Sequence, residues 1–340
     1  MKFPLPKNIK ESERQHYWKL SNMNWREPTV KIEKGISINH EAHLFKWNKI
    51  LPDSFVNPEV QRKRFTLIRK AKFLLKNYLL RKKVIYKRKV IWFIDNWSHS
   101  YFHWVTEALP RLLLVEEEAK SVPILLPKYI LQIQFVRETL EWFDIFKLIT
   151  LEEREVYKIK ELILPLRTAD SPSFNPRLLE QVRVKYLGNK SGQNGDVKKR
   201  IYISRSLSDR RQVINEDDVV KVLLNYNFEV INMEQYAFKD QVDLMRQTKY
   251  LVSLHGAGLT NLIFMPSDGK ILELRHGLDT FWDCYYRLSS AFGLAYYYQI
   301  CDIEDQESDL QLPDEINDSG VVVNLEILEK NIQLLLENSA

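Results

Sequence analysis

Short apolar runs alternate with stretches of helical apolar spacing along most of this chain. "VIWFID", "VPILLP" and "IKELILP" read as strands. Between them, "YFHWVTEALPRLLLVEEEA" and "ILQIQFVRETLEWF" return an apolar residue every third or fourth position and read as helices. "NPRLLEQVRVKYL" is a helix with Asn175 as cap and Pro176 in its first turn. The pattern stops at "GNKSGQNGDVKK", which has no apolar periodicity, and then restarts. Strands "RIYISR", "FEVINM", "YLVSLHG", "KILELR" and "AYYYQI" alternate with helical segments "NEDDVVKVLLNYN" (Asn215 as cap), "AFKDQVDLMRQT", "LTNLIFM" and "YRLSSAFG". "NLEILEKNIQLLLENS" is a final amphipathic helix. Such alternation builds a mostly parallel sheet covered by helices, so the fold class is α/β. It repeats as two units: residues 1–188, a linker at 189–199, residues 200–315, and the final helix within 316–340. Pro4, Pro6, Pro28, Pro52 and Pro58 break up the first sixty residues, where "TVKIEKGISI" reads as a hairpin pair.

Composition supports folded units rather than a disordered chain: 45% of the 340 residues are hydrophobic and 12% aromatic. Two cysteines, Cys284 and Cys301, make neither a disulfide framework nor a zinc pattern, and suit a reducing compartment. The first residues lack the apolar core of a signal peptide, and no run of about 18 apolar residues occurs. A cytoplasmic protein is expected. The net charge of +5 is unevenly spread: Arg62 to Lys89 holds no acid. With Phe65, Ile68, Phe73, Leu75, Leu79 and Leu80 interleaved, that stretch reads as a solvated helix with a core-facing stripe. The other reading is a basic surface for anionic lipid at the inner membrane face. No nucleic-acid module accompanies it.

Three constellations carry chemistry. The strand "YLVSLHG" ends in His255-Gly256-Ala257-Gly258, followed by Leu259, Thr260 and Asn261. Glycines at a strand-to-helix junction admit close backbone approach, and the unpaired amides of the helix start suit phosphate oxygens. "GAGLTN" also approaches a dinucleotide fingerprint, with Glu273 at ribose-binding distance, but Asn261 stands at its third position and Pro266 cuts the helix short. A nicotinamide-dependent oxidoreductase is therefore an alternative. Next, "YISRSLSDRR" places Ser204 and Arg205 at the end of a strand, with Arg210 and Arg211 in the adjoining loop. Guanidinium groups bind diphosphate in bidentate fashion and keep their charge. In "NWSHSYFHWVTEALPRL", His99, His103 and Glu107 are four apart, and a helix would put His103 and Glu107 on one face. A histidine and an acid so placed form a general-base pair or two metal ligands; no third strong ligand accompanies them, and no metal site is expected. Pro110 should end or kink this helix near Leu109. Walker A, D-x-D and G-x-S-x-G sequences are all absent.

Taken together, "SYFHWVTEALPRL", "YISRSLSDRRQVINEDDV" and "LVSLHGAGLTNLIFMPSDGKILEL", spanning roughly Asp95 to Leu274, resemble glycosyltransferase family 61. The resemblance implies a GT-B architecture, two Rossmann-like units facing across a cleft, the second holding the nucleotide and the final helix returning to the first. It implies an inverting, metal-independent transfer from a nucleotide-sugar, a UDP-sugar foremost, to a glycan or lipid-linked glycan in surface polysaccharide (capsule or lipopolysaccharide) synthesis. No cofactor beyond the donor is implied. Glu107 or His103 would take the acceptor proton. Arg205, Arg210, Arg211 and His255 to Asn261 would hold the diphosphate, with Asn215 and Glu216 as candidates for orienting the arginines. Ser204 and Glu273 would hold the nucleoside. A transferase-like binding subunit without activity would keep the same phosphate residues.

Overall fold

The computed structural model describes residues 3–20, 24–47, 49–57, 59, 66–188, 199–277, 283–303 and 319–337. The expected linker lies outside them except for Lys199, as do Arg62 to Phe65 of the basic stretch. The chain divides into two compact units, one of residues 25–185 and one of 1–24 with 186–340.

In the unit 25–185, a sheet of seven strands runs in the order β3-β2-β1-β7-β4-β5-β6. These are β1 (Val30–Asn39), β2 (Leu44–Lys46), β3 (Lys49–Ile50), β4 (Lys82–Ile91), β5 (Ile124–Pro127), β6 (Leu148–Leu151) and β7 (Glu155–Pro165). β7, β4, β5 and β6 are parallel, while β1 runs antiparallel to β7. "TVKIEKGISI" is thus one strand, not a hairpin. Gly35 takes a left-handed φ of 65°, but the register stays in step from Lys34 opposite Glu161 to Ile36 opposite Ile159. A long partner strand satisfies the main chain on both sides of the glycine and overrides its turn preference. β4 likewise starts earlier than its apolar residues suggest, because Lys82 already pairs with Glu155 of β7. Ahead of β4 lies α1 (Leu67–Leu75), continued by a wider turn, Lys76–Leu80. Helix α2 (Gln134–Leu140) buries Val136, Thr139 and Leu140, and α3 (Pro176–Leu187) is capped as expected: Oδ1 of Asn175 accepts from the amides of Arg177 (3.1 Å) and Leu178 (3.3 Å).

The other unit carries six strands in the order β13-β12-β11-β10-β8-β9. They are β8 (Lys199–Ile203), β9 (Glu229–Ile231), β10 (Thr248–Leu254), β11 (Lys270–His276), β12 (Ala295–Ile303) and β13 (Val321–Val322). All neighbours are parallel except β12 and β13. The order places the chain reversal between β8 and β10, since the connection from β8 leads one way and that from β10 the other. Open α/β sheets bind ligands outside the carboxyl ends of such a strand pair. Helices α4 (Glu216–Asn225), α5 (Phe238–Met245) and α6 (Cys284–Ala291) follow β8, β9 and β11. The final helix, α7 (Leu325–Leu336), is capped by Asn324, whose Oδ1 accepts from Ile327 N–H at 3.1 Å.

Two boundaries differ from the sequence expectation. Helix α7 packs within the later unit: Leu328, Ile332 and Leu335 are fully buried in its core with Leu272, Leu274, Val219 and Leu223. The first 24 residues also belong to this later unit. Asn8 donates to the carbonyl of Tyr298 (2.7 Å) and to Oδ1 of Asn331 (2.9 Å), and Tyr17 is buried. Such long-range pairings leave no periodic trace in the sequence. Among the described residues, no helix is long and apolar enough to cross a membrane.

Truncating a fully buried side chain of α7 removes its transfer energy and leaves a cavity. Leu328→Ala should lower the unfolding free energy by about 2–5 kcal/mol, read from the midpoint of a denaturant titration.

Candidate functional site

Each unit places one cluster of polar side chains where parallel strands end. In the unit 25–185, β4 and β7 are parallel neighbours, and Asp95 and Arg167 lie just beyond their carboxyl ends. Trp92, Phe93 and Ile94 bury the chain from β4 to Asp95. From Tyr101 to Leu113 the chain is helical. Pro110 does not stop it. The turn Trp104–Ala108 widens, with Leu109 N–H bonding the carbonyl of Trp104, and this absorbs the amide that Pro110 lacks.

This segment faces the strand ends with His103, Glu107 and Arg111. Nδ1 of His103 lies 2.9 Å from Oε1 of Glu107, so the spacing that put them on one face also brings them into contact. Nη1 of Arg167 pairs with Oε2 of Glu107 at 2.7 Å, and its Nη2 reaches Oδ2 of Asp95 at 2.5 Å. Nη2 of Arg111 meets the same Asp95 oxygen at 2.6 Å, while its Nε donates to the Glu107 carbonyl. Oδ1 of Asp95 accepts from Trp97 N–H and Ser98 Oγ. Two acids and two arginines thus form a buried array of balanced charge. Burial would raise both carboxyls, but the cations win. Arg111 and Arg167 hold Asp95 down at about 2, and Arg167 with His103 holds Glu107 below the usual carboxylate range.

Glu107 is therefore committed to ion pairs, and sequence spacing alone gave no sign of that. Its carboxylate orients His103, leaving Nε2 for a proton. His103 and Arg167 are the array's outer members, with side chains 15% and 13% exposed against 6% for Glu107. The half-exposed Trp97 ring lies against His103, 5.0 Å between centroids. Trp92 and Trp104 are fully buried. His99 stays outside, turned to the carbonyl of Asn96. Asp95, Arg111 and Arg167 escaped the sequence reading. Arg111 stands four residues after Glu107 in the quoted motif, and the other two follow strand ends, so their positions were legible although their meeting was not.

In the other unit, Ile203 of β8 is level with Ser253 of β10, so Arg205 and His255 leave the sheet side by side at the reversal point. The guanidinium of Arg205 lies on Gly256. A Cβ there would overlap its Nη1 and sit 2.9 Å from its Cζ. Gly256 is extended, with φ at 176°, so the glycine is required by this approach and not by its own backbone. Nε of Arg205 donates to the carbonyl of Arg211 (2.9 Å), and Nη2 donates to Ser208 Oγ (2.8 Å) and the carbonyl of Arg210 (3.0 Å). Arg211 adopts a left-handed φ of 49° in this turn. Among the described residues, neither Arg205 nor Arg211 is ion-paired with a carboxylate. Burial lowers the Arg205 pKa, and the Arg211 cation lowers it further. Two adjacent guanidinium groups without a carboxylate partner favour an anion. The 3-10 turn Ala257–Phe264 begins beside them, its first internal bond running from Leu259 N–H to Gly256 C=O (3.0 Å). The amides of Ala257 and Gly258 are left for an incoming acceptor.

The remaining expected residues divide. Leu259, Thr260 and Asn261 are buried, and Asn261 is tied to Oε1 of Gln241 at 2.8 Å, so only their backbone is placed to contribute. Arg210 supplies a carbonyl while its side chain is exposed. Ser204 Oγ caps Ser206. Asn215 and Glu216 do not orient the arginines: Asn215 exchanges two hydrogen bonds with Val323, and Glu216 accepts from the Tyr202 hydroxyl. Glu273 is fully enclosed and cannot meet ribose hydroxyls as placed. One oxygen lies 2.5 Å from Nδ1 of His255 and the other accepts from the Tyr296 hydroxyl at 2.5 Å. It fixes the ring of His255, and the dinucleotide reading loses its ribose acceptor.

Breaking the Asp95 array should be costly, because two arginines would remain buried with one carboxylate. Asp95→Asn is expected to lose about 3–5 kcal/mol in denaturant unfolding. Asp95 is more acidic folded than unfolded, so its contribution is complete above the ordinary carboxylate range and is lost as pH falls toward about 2. Its share amounts to about 2 kcal/mol. Wild-type stability should decline over that acid window, and Asp95→Asn should decline less. Gly256→Ala keeps an allowed backbone but evicts the Arg205 head. It should fold with near wild-type stability and bind pyrophosphate, used as an anion probe, at least about tenfold more weakly by calorimetry.

Residues 101–272, half of the chain, match the family model described as Glycosyltransferase 61. The EGF domain-specific O-linked N-acetylglucosamine transferase of Drosophila melanogaster is 36% identical over 98 residues, covering 28% of this chain and 18% of that protein. The enzyme of the same name from Mus musculus is 29% identical over 129 residues, covering 36% of this chain and 23% of its own. Protein O-linked-mannose beta-1,4-N-acetylglucosaminyltransferase 2 of Xenopus laevis is 28% identical over 136 residues, 38% and 23% of the two chains. The matched stretches span about a fifth of these relatives' length. Both polar clusters have members inside the matched segment, His103, Glu107 and Arg167 in one and Arg205, Gly256 and Glu273 in the other, and this chain belongs to the glycosyltransferase 61 family.

Proposed function

We propose that this protein is an inverting glycosyltransferase that moves a sugar from a nucleotide-sugar donor to a hydroxyl of a glycan. The observation that carries the reading is the anion site at the reversal point of the second sheet: Arg205 laid on Gly256, Arg211 beside it, and the open amides of Ala257 and Gly258. Such a site suits a diphosphate, and it stabilises the negative charge that develops on a departing nucleoside diphosphate. Two guanidinium groups can meet that charge, so the reading requires no metal. N-acetylglucosamine carried on UDP is the first donor to test, given the names of the relatives in three animals. A lipid-linked glycan of surface polysaccharide is the acceptor we favour, and the lipid-facing surface argued below supports it.

In the reaction, the acceptor oxygen forms a bond to the anomeric carbon while the bond from that carbon to the diphosphate oxygen breaks. The electron pair leaves with the diphosphate. The acceptor proton passes to Nε2 of His103, whose Nδ1 is held by Glu107. His103, not Glu107, is the base in this reading, because both Glu107 oxygens are engaged.

Thermal unfolding with UDP, GDP, CMP, NAD and NADP, with and without EDTA, tests the donor half. A nucleoside phosphate at about a hundredfold its Kd should add about 2.7 kcal/mol of stability. We expect a shift with UDP that survives EDTA and vanishes in Arg205→Ala; a shift with NAD or NADP alone would overturn the reading. For the base, His103→Gln should keep the UDP shift and lose about 10²–10⁴-fold in transfer rate. Binding without turnover in the wild-type protein, across a panel of sugar donors and glycan acceptors, would make it a binding subunit.

A further inference from the structure

The basic stretch is not used by either polar cluster, and of the apolar residues expected to face the core its helix buries Phe73 but leaves Ile68, Leu75, Leu79 and Leu80 exposed. In α1 and the wide turn after it, the inward positions are Phe73, Asn77 and Arg81, four residues apart and all buried. Phe73 packs on Phe45, with ring centroids 5.1 Å apart. Oδ1 of Asn77 accepts from Asn39 Nδ2 (3.0 Å) and Arg81 Nη1 (2.7 Å), and the Arg81 fork grips both oxygens of Glu41 at 2.6 and 2.5 Å. These polar anchors fix the helix rotation. Ile68, Leu75 and Leu79 lie on the opposite face, seven and four residues apart, and they are 69%, 48% and 76% exposed. Lys72 and Lys76 flank this apolar stripe, with Lys76 paired to Glu41 at 2.5 Å; Arg69 and Lys70 stand one turn before Phe73, and no acid occurs in the sequence between Arg62 and Lys89.

The neighbouring surface has the same character. Beside the end of the helix lies a pocket of about 360 Å³ whose lining includes Phe45, Trp47 and Tyr78 with Lys46, Lys83 and Lys158. Lys83 sits over the Tyr78 ring at 5.6 Å. Trp47, at the tip between β2 and β3, is 85% exposed, and Ile85, two residues along β4 from Lys83, is 68% exposed. An exposed helix normally turns charge outward and apolar residues inward. Here an apolar stripe, an exposed tryptophan and several lysines share one region; Lys76 and Lys46 are paired with Glu41 and Glu33, while among the described residues Lys72, Lys83 and Lys158 have no carboxylate partner. Water disfavours the first, and an acidic protein partner would leave the stripe unexplained. A bilayer with anionic headgroups satisfies both at once: apolar side chains enter the acyl boundary, tryptophan sits at headgroup level, and lysines meet phosphates.

We infer that the outward face of α1, with the adjoining lysine and aromatic pocket, is a docking surface for an anionic lipid bilayer. The test is flotation of the full chain with vesicles of phosphatidylcholine alone or with a minority of phosphatidylserine, at low and high salt. Binding is expected only with the anionic vesicles and should weaken as salt rises. Leu75→Glu with Leu79→Glu should reduce the bound fraction at least about tenfold, and each of Lys72→Gln and Lys83→Gln about fivefold. All four positions are solvent-exposed, so the UDP-dependent thermal shift of each variant should match the wild type and report an intact fold. Equal binding to neutral and anionic vesicles would overturn the inference. So would no binding to either, or binding that heparin matches and the leucine substitutions leave unchanged, which would mark a general polyanion surface instead.

Discussion

The unit 25–185 depends on keeping two acids and two arginines out of water together. Asp95, Glu107, Arg111 and Arg167 come from the end of one strand, a helical segment and the end of a neighbouring strand, and each neutralises another. Four such charges survive burial only as a set, because any one left alone carries its full desolvation cost. The set therefore fixes where the helical segment stands against the sheet. That placement in turn fixes His103, which with Arg167 carries the array toward the surface. Balanced charge inside and one imidazole at the rim is an arrangement suited to taking a proton at a defined point.

The other unit solves a related problem with different parts. His255 is also held through Nδ1 by a buried carboxylate, Glu273, which Tyr296 shares. In both units the acid is the support and the histidine is the less buried of the two. What distinguishes the second cluster is uncompensated positive charge. Arg205 is held by carbonyls and a hydroxyl rather than by carboxylates, so its charge is directed but not neutralised. Gly256 makes that possible by leaving room for the guanidinium. The reversal of chain direction between β8 and β10 opens the sheet edge at the same place.

Helix α1 shows how a periodic pattern can be satisfied two ways. Its apolar residues repeat as a helix requires, and from that repeat a core-facing stripe is the ordinary reading. The structure buries the face that holds Phe73 and not the one that holds Ile68, Leu75 and Leu79, because Asn77 and Arg81 on the Phe73 side find partners in Asn39 and Glu41, far away in the chain. Polar pairing outweighed the apolar stripe locally, and the stripe is left at the surface among lysines.

The sequence by itself determined the local events. Strand–helix alternation announced two α/β units, the Asn175-Pro176 start of α3 was readable residue by residue, and the four-residue spacing of His103 and Glu107 guaranteed their contact once a helix formed. Gly256 was readable as a site of close approach, though what approaches it was not. These follow from covalent geometry and period, which act within a few residues. Only the tertiary structure decided which groups are already engaged. It closed Glu273 behind His255 and Tyr296, gave Glu107 to Arg167, kept α7 in its own unit, joined the first 24 residues to the later unit, and turned α1 outward. Each of those outcomes depends on a partner distant in sequence, and a single chain's local pattern carries no information about which distant charge or cavity will be within reach.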